Sequence, residues 1–106
     1  EGHIYVVFGA GGERDKRKRP HMAKALEGYA KHCFITSDNP RNENQNEIND
    51  QIIKGFKKNH YSIYNNRSQG IKAALNISKK NDIKTVKIII ISTMKLVPFV
   101  SLLIKK

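Results

Sequence analysis

The 106-residue chain has one cysteine, no tryptophan, and only nine acidic residues against twenty lysines and arginines. The single cysteine excludes an intramolecular disulfide and a metal site built from several cysteines, and it fits a reducing compartment. Cys33 lies in the apolar segment HCFIT, where free cysteine usually packs as a small hydrophobic residue, so we do not assign it as a nucleophile. The four histidines lack HxxxH spacing, and we expect no metal ligands among them.

The sequence also lacks a hydrophobic run long enough to cross a membrane. The apolar segments VKIIIIS and LVPFVSLLI, together with the residues between them, are interrupted by Lys87, Lys95 and Pro98. Neither segment reaches the ~20 residues that a membrane-spanning helix needs. We therefore expect no membrane partner.

Two widespread nucleotide-binding motifs are missing, because neither GxGxxG nor GxxxxGK[ST] occurs. What does occur, directly after the apolar segment IYVVF, is GAGGERDKRKRP at residues 9–20. Such a glycine-rich turn can bring main-chain N–H groups close to an anionic ligand, although the glycines alone indicate only a tight turn. The formal net charge of +11 also favours anionic partners, while lysines scattered through the second half are typical of a solvated face.

Apolar periodicity predicts strands that alternate with helices. The predicted strands are residues 4–8, 33–36, 61–64 and 86–91. Pro20 suits the first turn of the first helix. The predicted buried face of that helix carries Met22, Ala25, Leu26 and Tyr29.

Two further helices are marked by polar residues at capping positions. The second helix is predicted over residues 45–57, with Asn42 and Gln45 in the spacing of a capping box. The third follows Asn66 and Gln69, which have the same spacing. The predicted inward residues are Ile48, Ile52, Ile53 and Phe56 in the second helix and Ile71, Ala74, Leu75 and Ile77 in the third.

This alternation predicts an α/β fold of Rossmann-like type, with a mostly parallel sheet and helices on both faces. Ligands of such sheets bind outside the carboxyl ends of the strands. The loops GAGGERDKRKRP and SDNPRNEN both follow predicted strands. We therefore expect the two loops to open onto the same edge and to build one site.

The tetrapeptide DNPR in the second loop suits the recognition of a carboxylate. Pro40 stiffens the turn, Asn39 can donate and accept hydrogen bonds, and Arg41 offers a planar fork of N–H groups. Arg14 on the first loop offers a second fork. Taken alone, the four residues favour an ordinary Asx-type turn with an exposed arginine.

Together the two motifs carry a resemblance to a known family. The segment VFGAGGERDKRKRPHMA, followed after one helix and one strand by TSDNPR, closely resembles the C-terminal domain of MurE-type Mur ligases. The resemblance covers roughly residues 4–83, including NEINDQIIKG and NRSQGIKAAL. These bacterial enzymes add meso-diaminopimelate to UDP-N-acetylmuramoyl-L-alanyl-D-glutamate in peptidoglycan synthesis, so the resemblance implies a cytoplasmic protein.

The resemblance implies a substrate site for meso-diaminopimelate. The implied binding residues are Arg14, Asp38, Asn39, Pro40 and Arg41. Arg14 and Arg41 would hold a carboxylate while Asn39 forms a hydrogen bond to it, and the arginine of DNPR is associated with diaminopimelate in preference to lysine. This is chemically reasonable, because a guanidinium fork selects a second carboxylate that lysine lacks. No catalytic residue and no metal ligand are assigned.

The resemblance also implies the reaction and its cofactors. In the family, ATP phosphorylates the glutamate side-chain carboxylate, and the amine then attacks the acyl phosphate to form an amide. Mg²⁺ and the nucleotide are held mainly by a central domain, and UDP-MurNAc-dipeptide by an N-terminal domain; this chain contains neither. We expect the C-terminal domain to position the amine and the chain alone to be inactive.

Three departures from the family pattern concern the loops and the tail. Glu13 replaces the usual aspartate, and Arg17 stands where the family prefers glycine. The segment after NDI should run into a GKGHE motif that binds the amino end of diaminopimelate, but the sequence continues KTVKIIIISTMKLVPFVSLLIKK. We therefore expect one half of the amino-acid site to be missing.

The expected organisation is a partial Mur ligase C-terminal domain at residues 1–84 and a divergent apolar tail at 85–106, from a truncated gene with a frameshifted tail. Two alternatives remain open. One is a small basic module that binds nucleic acid through the Arg14 to Arg19 cluster, with strongly salt-dependent affinity. The other is a non-functional gene remnant.

Overall fold

The computed structural model describes residues 2–12, 16–80, 85–91 and 99–105. In these ranges, strands and helices form a five-stranded sheet with helices on both faces. The strands are β1 (Gly2–Phe8), β2 (His32–Ile35), β3 (Tyr61–Ile63), β4 (Thr85–Ile91) and β5 (Phe99–Lys105). The helices are α1 (Lys18–Glu27), α2 (Gln45–Ile53) and α3 (Arg67–Lys80).

The strand order is β3-β2-β1-β4-β5. Strands β1 to β4 are parallel to one another. Strand β5 runs antiparallel to β4 over seven residue pairs. The predicted α/β fold with a mostly parallel sheet is therefore confirmed, and all four predicted strands are present within one residue or two of their expected bounds.

Strand β1 lies at the centre of the sheet, and both of its faces are buried. Val6 and Phe8 pack on the side of α1 and α2, whereas Tyr5 and Val7 pack on the side of α3. This burial explains why the strand is continuously apolar, as is usual for central strands of parallel sheets. The central position of β1 also places the glycine-rich loop that follows it in the middle of the carboxyl edge.

The predicted buried face of α1 is partly wrong. Its buried residues are Arg19, Ala23 and Leu26, while Ala25 is exposed and Tyr29, which follows the helix, is 50% exposed. The apolar spacing of Ala25 and Tyr29 misled the sequence-based prediction. Arg19 instead points inward, one turn before Ala23. Its guanidinium donates hydrogen bonds there to oxygen atoms of Gly11, Glu43 and Gln51.

Helix α2 begins at Gln45, as predicted, but its predicted cap and its predicted end at residue 57 are wrong. Asn44 caps the helix, and its Oδ1 accepts hydrogen bonds from the N–H groups of Asn46 and Glu47 at 2.8 and 3.3 Å. The observed cap thus lies two residues after the expected cap, Asn42. It ends at Ile53, and Phe56 packs beyond it against Tyr61, with ring centroids 4.8 Å apart.

The predicted cap of α3 is confirmed, because Asn66 Oδ1 accepts from the N–H of Gln69 at 2.9 Å. The C-terminal segments join the same sheet: β4 pairs with β1 over seven residue pairs, and β5 continues it. The division of the chain at residue 84 stays a prediction. Among the described residues, no helix is long and apolar enough to cross a membrane.

Candidate functional site

The two loops singled out in the sequence leave adjacent parallel strands. Phe8 at the end of β1 lies beside Ile35 at the end of β2, and the N–H of Thr36 donates to the carbonyl oxygen of Phe8 at 2.8 Å. Residues 9–12 and 36–44 therefore start side by side at the carboxyl edge of the sheet. This confirms that the two loops share one edge.

The two loops are in direct contact further along. The N–H of Gly12 donates to the carbonyl oxygen of Asn39 at 2.9 Å. A Cβ atom at Gly12 would collide with the carbonyl oxygen of Pro40, and one at Gly9 with that of Thr36. No described glycine has a positive φ. Glycine is needed at these two positions because the backbones approach closely, and not because the chain turns left-handed.

The left-handed backbone lies instead in the DNPR segment. Asn39 has φ 38° and Arg41 has φ 55°, the two positive values among the described non-glycine residues. Asparagine tolerates this region, whereas for arginine it costs roughly 1–2 kcal/mol. Such backbone strain is maintained where neighbouring contacts enforce it and is often found at functional sites. The backbone of Arg41 is therefore a signal of function that its side chain alone does not give.

The start of the second loop is attached to the N-terminal end of α3. Ser37 Oγ donates to the carbonyl oxygen of Asn65 at 2.7 Å, and Asp38 forms an ion pair with Arg67 at 3.8 Å. The Asp38 side chain is only 13% exposed. Asp38 thus connects the loop to α3, and its predicted part in substrate binding stays a prediction.

The remaining sequence-predicted residues occupy different environments. Asn39 and Arg41 are exposed, and Pro40 is half-buried between them. Arg14 lies outside the described residues. The structure therefore brings Asp38, Asn39, Pro40 and Arg41 to the carboxyl edge beside Gly12, and the contribution of Arg14 stays a prediction.

Sequence reasoning missed the role of Arg19, which is fully buried. Its Nη2 donates to Glu43 Oε1 at 3.0 Å and to the carbonyl oxygen of Gly11 at 2.9 Å. Its Nη1 donates to Glu43 Oε2 at 3.0 Å and to Gln51 Oε1 at 2.7 Å. Helical spacing places Arg19 on the face of Ala23 and Leu26, a signal that could have identified it.

The burial of Arg19 changes the interpretation of the basic cluster. One of its five members is inside the protein, and Lys16 lies 3.9 Å from Glu43, the carboxylate that Arg19 holds. The cluster is therefore not a uniform basic surface that could follow a nucleic-acid backbone. This observation disfavours the nucleic-acid alternative.

The opposite end of the molecule has an open cavity of about 320 Å³, between the C-terminal end of α1 and the segment before β3. Its lining residues are Lys24, Glu27, Gly28, Lys57, Lys58 and His60. The Glu27 carboxylate there accepts hydrogen bonds from the N–H groups of Lys57 and Lys58. Because the carboxylate already occupies these donors, this cavity is a weaker candidate for an anion site than the carboxyl edge.

Cys33 is a free, buried cysteine in β2. Burial raises the pKa of its thiol to about 12. Because the thiolate is the nucleophilic form, this environment opposes a role in covalent catalysis.

Comparison with known proteins agrees with the family resemblance. The family described as "Mur ligase, glutamate ligase domain" matches residues 1–87. A UDP-N-acetylmuramoyl-L-alanyl-D-glutamate–2,6-diaminopimelate ligase of Caldanaerobacter subterraneus is 46% identical over 84 residues, which are 77% of this chain. Ligases of the same name from Chlamydia trachomatis and Haemophilus influenzae are 43% and 39% identical over 83 and 84 residues, each covering 78% of this chain.

The chain belongs to the Mur ligase family and corresponds to its glutamate ligase domain. It is similar to diaminopimelate-adding ligases over most of its length, but it spans only 17% of the length of each of these relatives.

Proposed function

We propose that this chain is the amino-acid-binding domain of an ATP-dependent ligase that adds meso-diaminopimelate to UDP-MurNAc-L-Ala-D-Glu in peptidoglycan synthesis. The observation that carries the proposal is the contact between the two loops. The hydrogen bond from Gly12 to Asn39 joins the glycine-rich loop to DNPR, next to an exposed Arg41 with a left-handed backbone. The names of the relatives support the identity of the amino acid.

In this proposal, Arg41 binds the carboxylate of diaminopimelate that lysine lacks. A guanidinium donates two parallel hydrogen bonds to a carboxylate, and a charge-assisted pair of this kind is roughly twice as strong as a neutral hydrogen bond. Asn39, exposed two residues earlier, adds a neutral donor to the same region. Arg14 supplies the second fork from the other loop.

The chemical contribution of this domain is to place the amine. When bound by the other domains, ATP would supply the phosphoryl group that activates the glutamate carboxylate, and Mg²⁺ would neutralise charge on the phosphates. The amine of diaminopimelate displaces phosphate from the acyl phosphate and forms the amide. Holding the distant carboxylate of the amino acid reduces the freedom of its amine and converts an encounter into a positioned attack.

The first experiment is a two-dimensional amide NMR spectrum of the chain during titration with meso-diaminopimelate, with lysine as the control ligand. We expect shifts at Asn39, Arg41 and Gly12 with diaminopimelate only. Equal shifts with both ligands, or none with either in a well-dispersed spectrum, would contradict the proposal.

Variants of Arg41 sharpen the test. We expect Arg41→Lys to weaken diaminopimelate binding about tenfold or more, since lysine keeps the charge but loses the fork. Arg41→Met removes the charge as well and should weaken binding further. Lys31→Met is the matched control, because it removes one positive charge at an exposed residue that precedes β2, at the opposite edge of the sheet. If Arg41→Met and Lys31→Met weaken diaminopimelate binding equally, the contribution of Arg41 would be only its share of the overall positive charge.

A further inference from the structure

We propose that Arg19 is a positioning residue that couples the two loops of the candidate site and sets Arg41 in its binding geometry before the amino acid arrives. This inference rests on the proposed function of the two loops. Arg19 itself is buried and contacts no ligand; it acts through Gly11 and Glu43.

The contacts of Arg19 lie immediately beside the residues that matter. Gly11 directly precedes Gly12, whose N–H bonds to Asn39, and Glu43 lies two residues after Arg41. The strained residue Arg41 is therefore held from both sides: the Gly12 to Asn39 hydrogen bond precedes it, and the Arg19 to Glu43 ion pair follows it. Strained backbone persists only where surrounding contacts impose it, and these two contacts supply that constraint.

The buried location of the guanidinium makes this coupling stiff. Arg19 has no exposed surface, and the Glu43 side chain is 15% exposed. Separation of the pair would leave a buried positive charge with only neutral acceptors, which is strongly unfavourable. The distance between Gly11 and Glu43, and with it the spacing of the two loops, is thus set by one planar group.

Lysine cannot reproduce this arrangement. Arg19 reaches the two oxygens of Glu43, the Gly11 carbonyl and Gln51 from two different terminal nitrogens. A lysine ammonium is a single point with three donors and no fork, so it cannot span these acceptors at once. Arg19→Lys is therefore the informative substitution, because it keeps the positive charge and removes the fork of N–H groups.

The test compares Arg19→Lys with the unaltered chain by amide NMR. We expect the Gly12 amide to exchange with solvent at least tenfold faster, the Arg41 amide to shift without any ligand, and diaminopimelate affinity to fall at least tenfold. Ile88→Val truncates the buried core in β4, in the cluster on the α3 side of the sheet, and is the control for lowered stability. If Arg19 has only a structural role, Arg19→Lys should change these three readouts no more than Ile88→Val does at the same thermal midpoint, and that result would overturn the proposal.

A second variant keeps the test decisive if Arg19→Lys fails to fold. Glu43→Gln retains the size of the side chain and one carbonyl oxygen, at a partly exposed position. We expect the same direction of change at the Gly12 and Arg41 amides, with a smaller loss of affinity. If the Gly12 amide of Glu43→Gln exchanges with solvent as slowly as in the unaltered chain, this would count against a coupling of the two loops through Arg19.

Failure of this inference can be told from failure of the proposed function. If the unaltered chain binds diaminopimelate and both variants bind it equally well, the positioning role is wrong and the function stands. If the unaltered chain does not bind diaminopimelate at all, the function is wrong, and the role of Arg19 in binding fails with it. Faster Gly12 exchange with unchanged affinity would reduce Arg19 to a structural residue.

Discussion

The N–H of Gly12 donates a hydrogen bond of 2.9 Å to the carbonyl oxygen of Asn39, and this contact joins two loops that are 27 residues apart in sequence. The bond requires the backbones to approach so closely that no side chain fits at Gly12. It connects the glycine-rich loop after β1 to the DNPR loop after β2.

Gly12→Ala should separate the two loops. Its Cβ would collide with the carbonyl oxygen of Pro40, and backbone cannot move aside as a flexible side chain can. We expect a loss of about 1–3 kcal/mol in the free energy of unfolding, the usual cost of overpacking. Diaminopimelate binding should weaken as well. Urea denaturation and NMR titration measure the two effects.

Gly28→Ala is the control for this substitution. Gly28 follows α1 with φ −64°, and an added Cβ would meet only the Ala25 carbonyl oxygen at 3.4 Å, an ordinary contact. We expect a gain of about 0.4–1 kcal/mol, because alanine restricts the unfolded chain. Equal losses for both variants would contradict the close approach at Gly12.

Asn44→Ala should remove the cap of α2. Its Oδ1 accepts two backbone N–H groups, so we expect a loss of about 1 kcal/mol in unfolding free energy. Asn42→Ala tests the sequence-based alternative and should cost less. Thermal and urea unfolding of the two variants show which asparagine caps the helix. A larger loss of unfolding free energy for Asn42→Ala would support Asn42 as the cap.

Glu27 should make the stability of the chain depend on pH. The backbone N–H of Lys57, and then that of Lys58, lowers the pKa of this carboxyl below its ordinary value of 4.5. Its stabilising contribution is therefore complete above that ordinary value and is lost as pH falls through the lowered pKa in the folded state. Stability in Glu27→Gln should fall less steeply below pH 4.5. Urea unfolding across pH 2–6 measures the slopes, and Asp50→Asn, which removes one carboxylate at an exposed position in α2, is the control.

Cys33 should resist thiol reagents in the folded protein. With a pKa of about 12, roughly one thiol in ten thousand is ionised at pH 8, and the side chain is buried. We expect labelling by a disulfide reagent to be slow in buffer and to become fast in denaturing urea. Rapid stoichiometric labelling of the folded chain would show that β2 opens or that the thiol is accessible.

Local patterns predicted much of the fold correctly. The four strands and three helices follow from apolar periodicity, and the cap at Asn66 follows from a short polar spacing. These features are set mainly by residues near each other in the chain. Strand β5 was missed, because an apolar run does not specify which strand it pairs with.

The errors have a common physical origin. Arg19 is buried only because Gly11, Glu43 and Gln51 supply acceptors from three other parts of the chain. Apolar spacing alone therefore predicted Ala25 and Tyr29, and not Arg19, for the buried face of α1. Asn42 and Asn44 have the same side-chain chemistry, so the side chains alone do not show which of them caps α2. The cap is Asn44, because the loop is fixed at Glu43 by Arg19 and the helix begins directly after it.

The sequence by itself determined the order of strands and helices along the chain and placed the DNPR loop and the glycine-rich loop at the same carboxyl edge, since both follow strands of a parallel sheet. It also carried the family resemblance in the two loop motifs. Only the tertiary structure decided that Gly12 contacts Asn39, that Arg41 has a left-handed backbone, and that Arg19 lies buried against Glu43. Each of these depends on atoms from segments far apart in the chain, whose distances exist only once the sheet has brought the segments together.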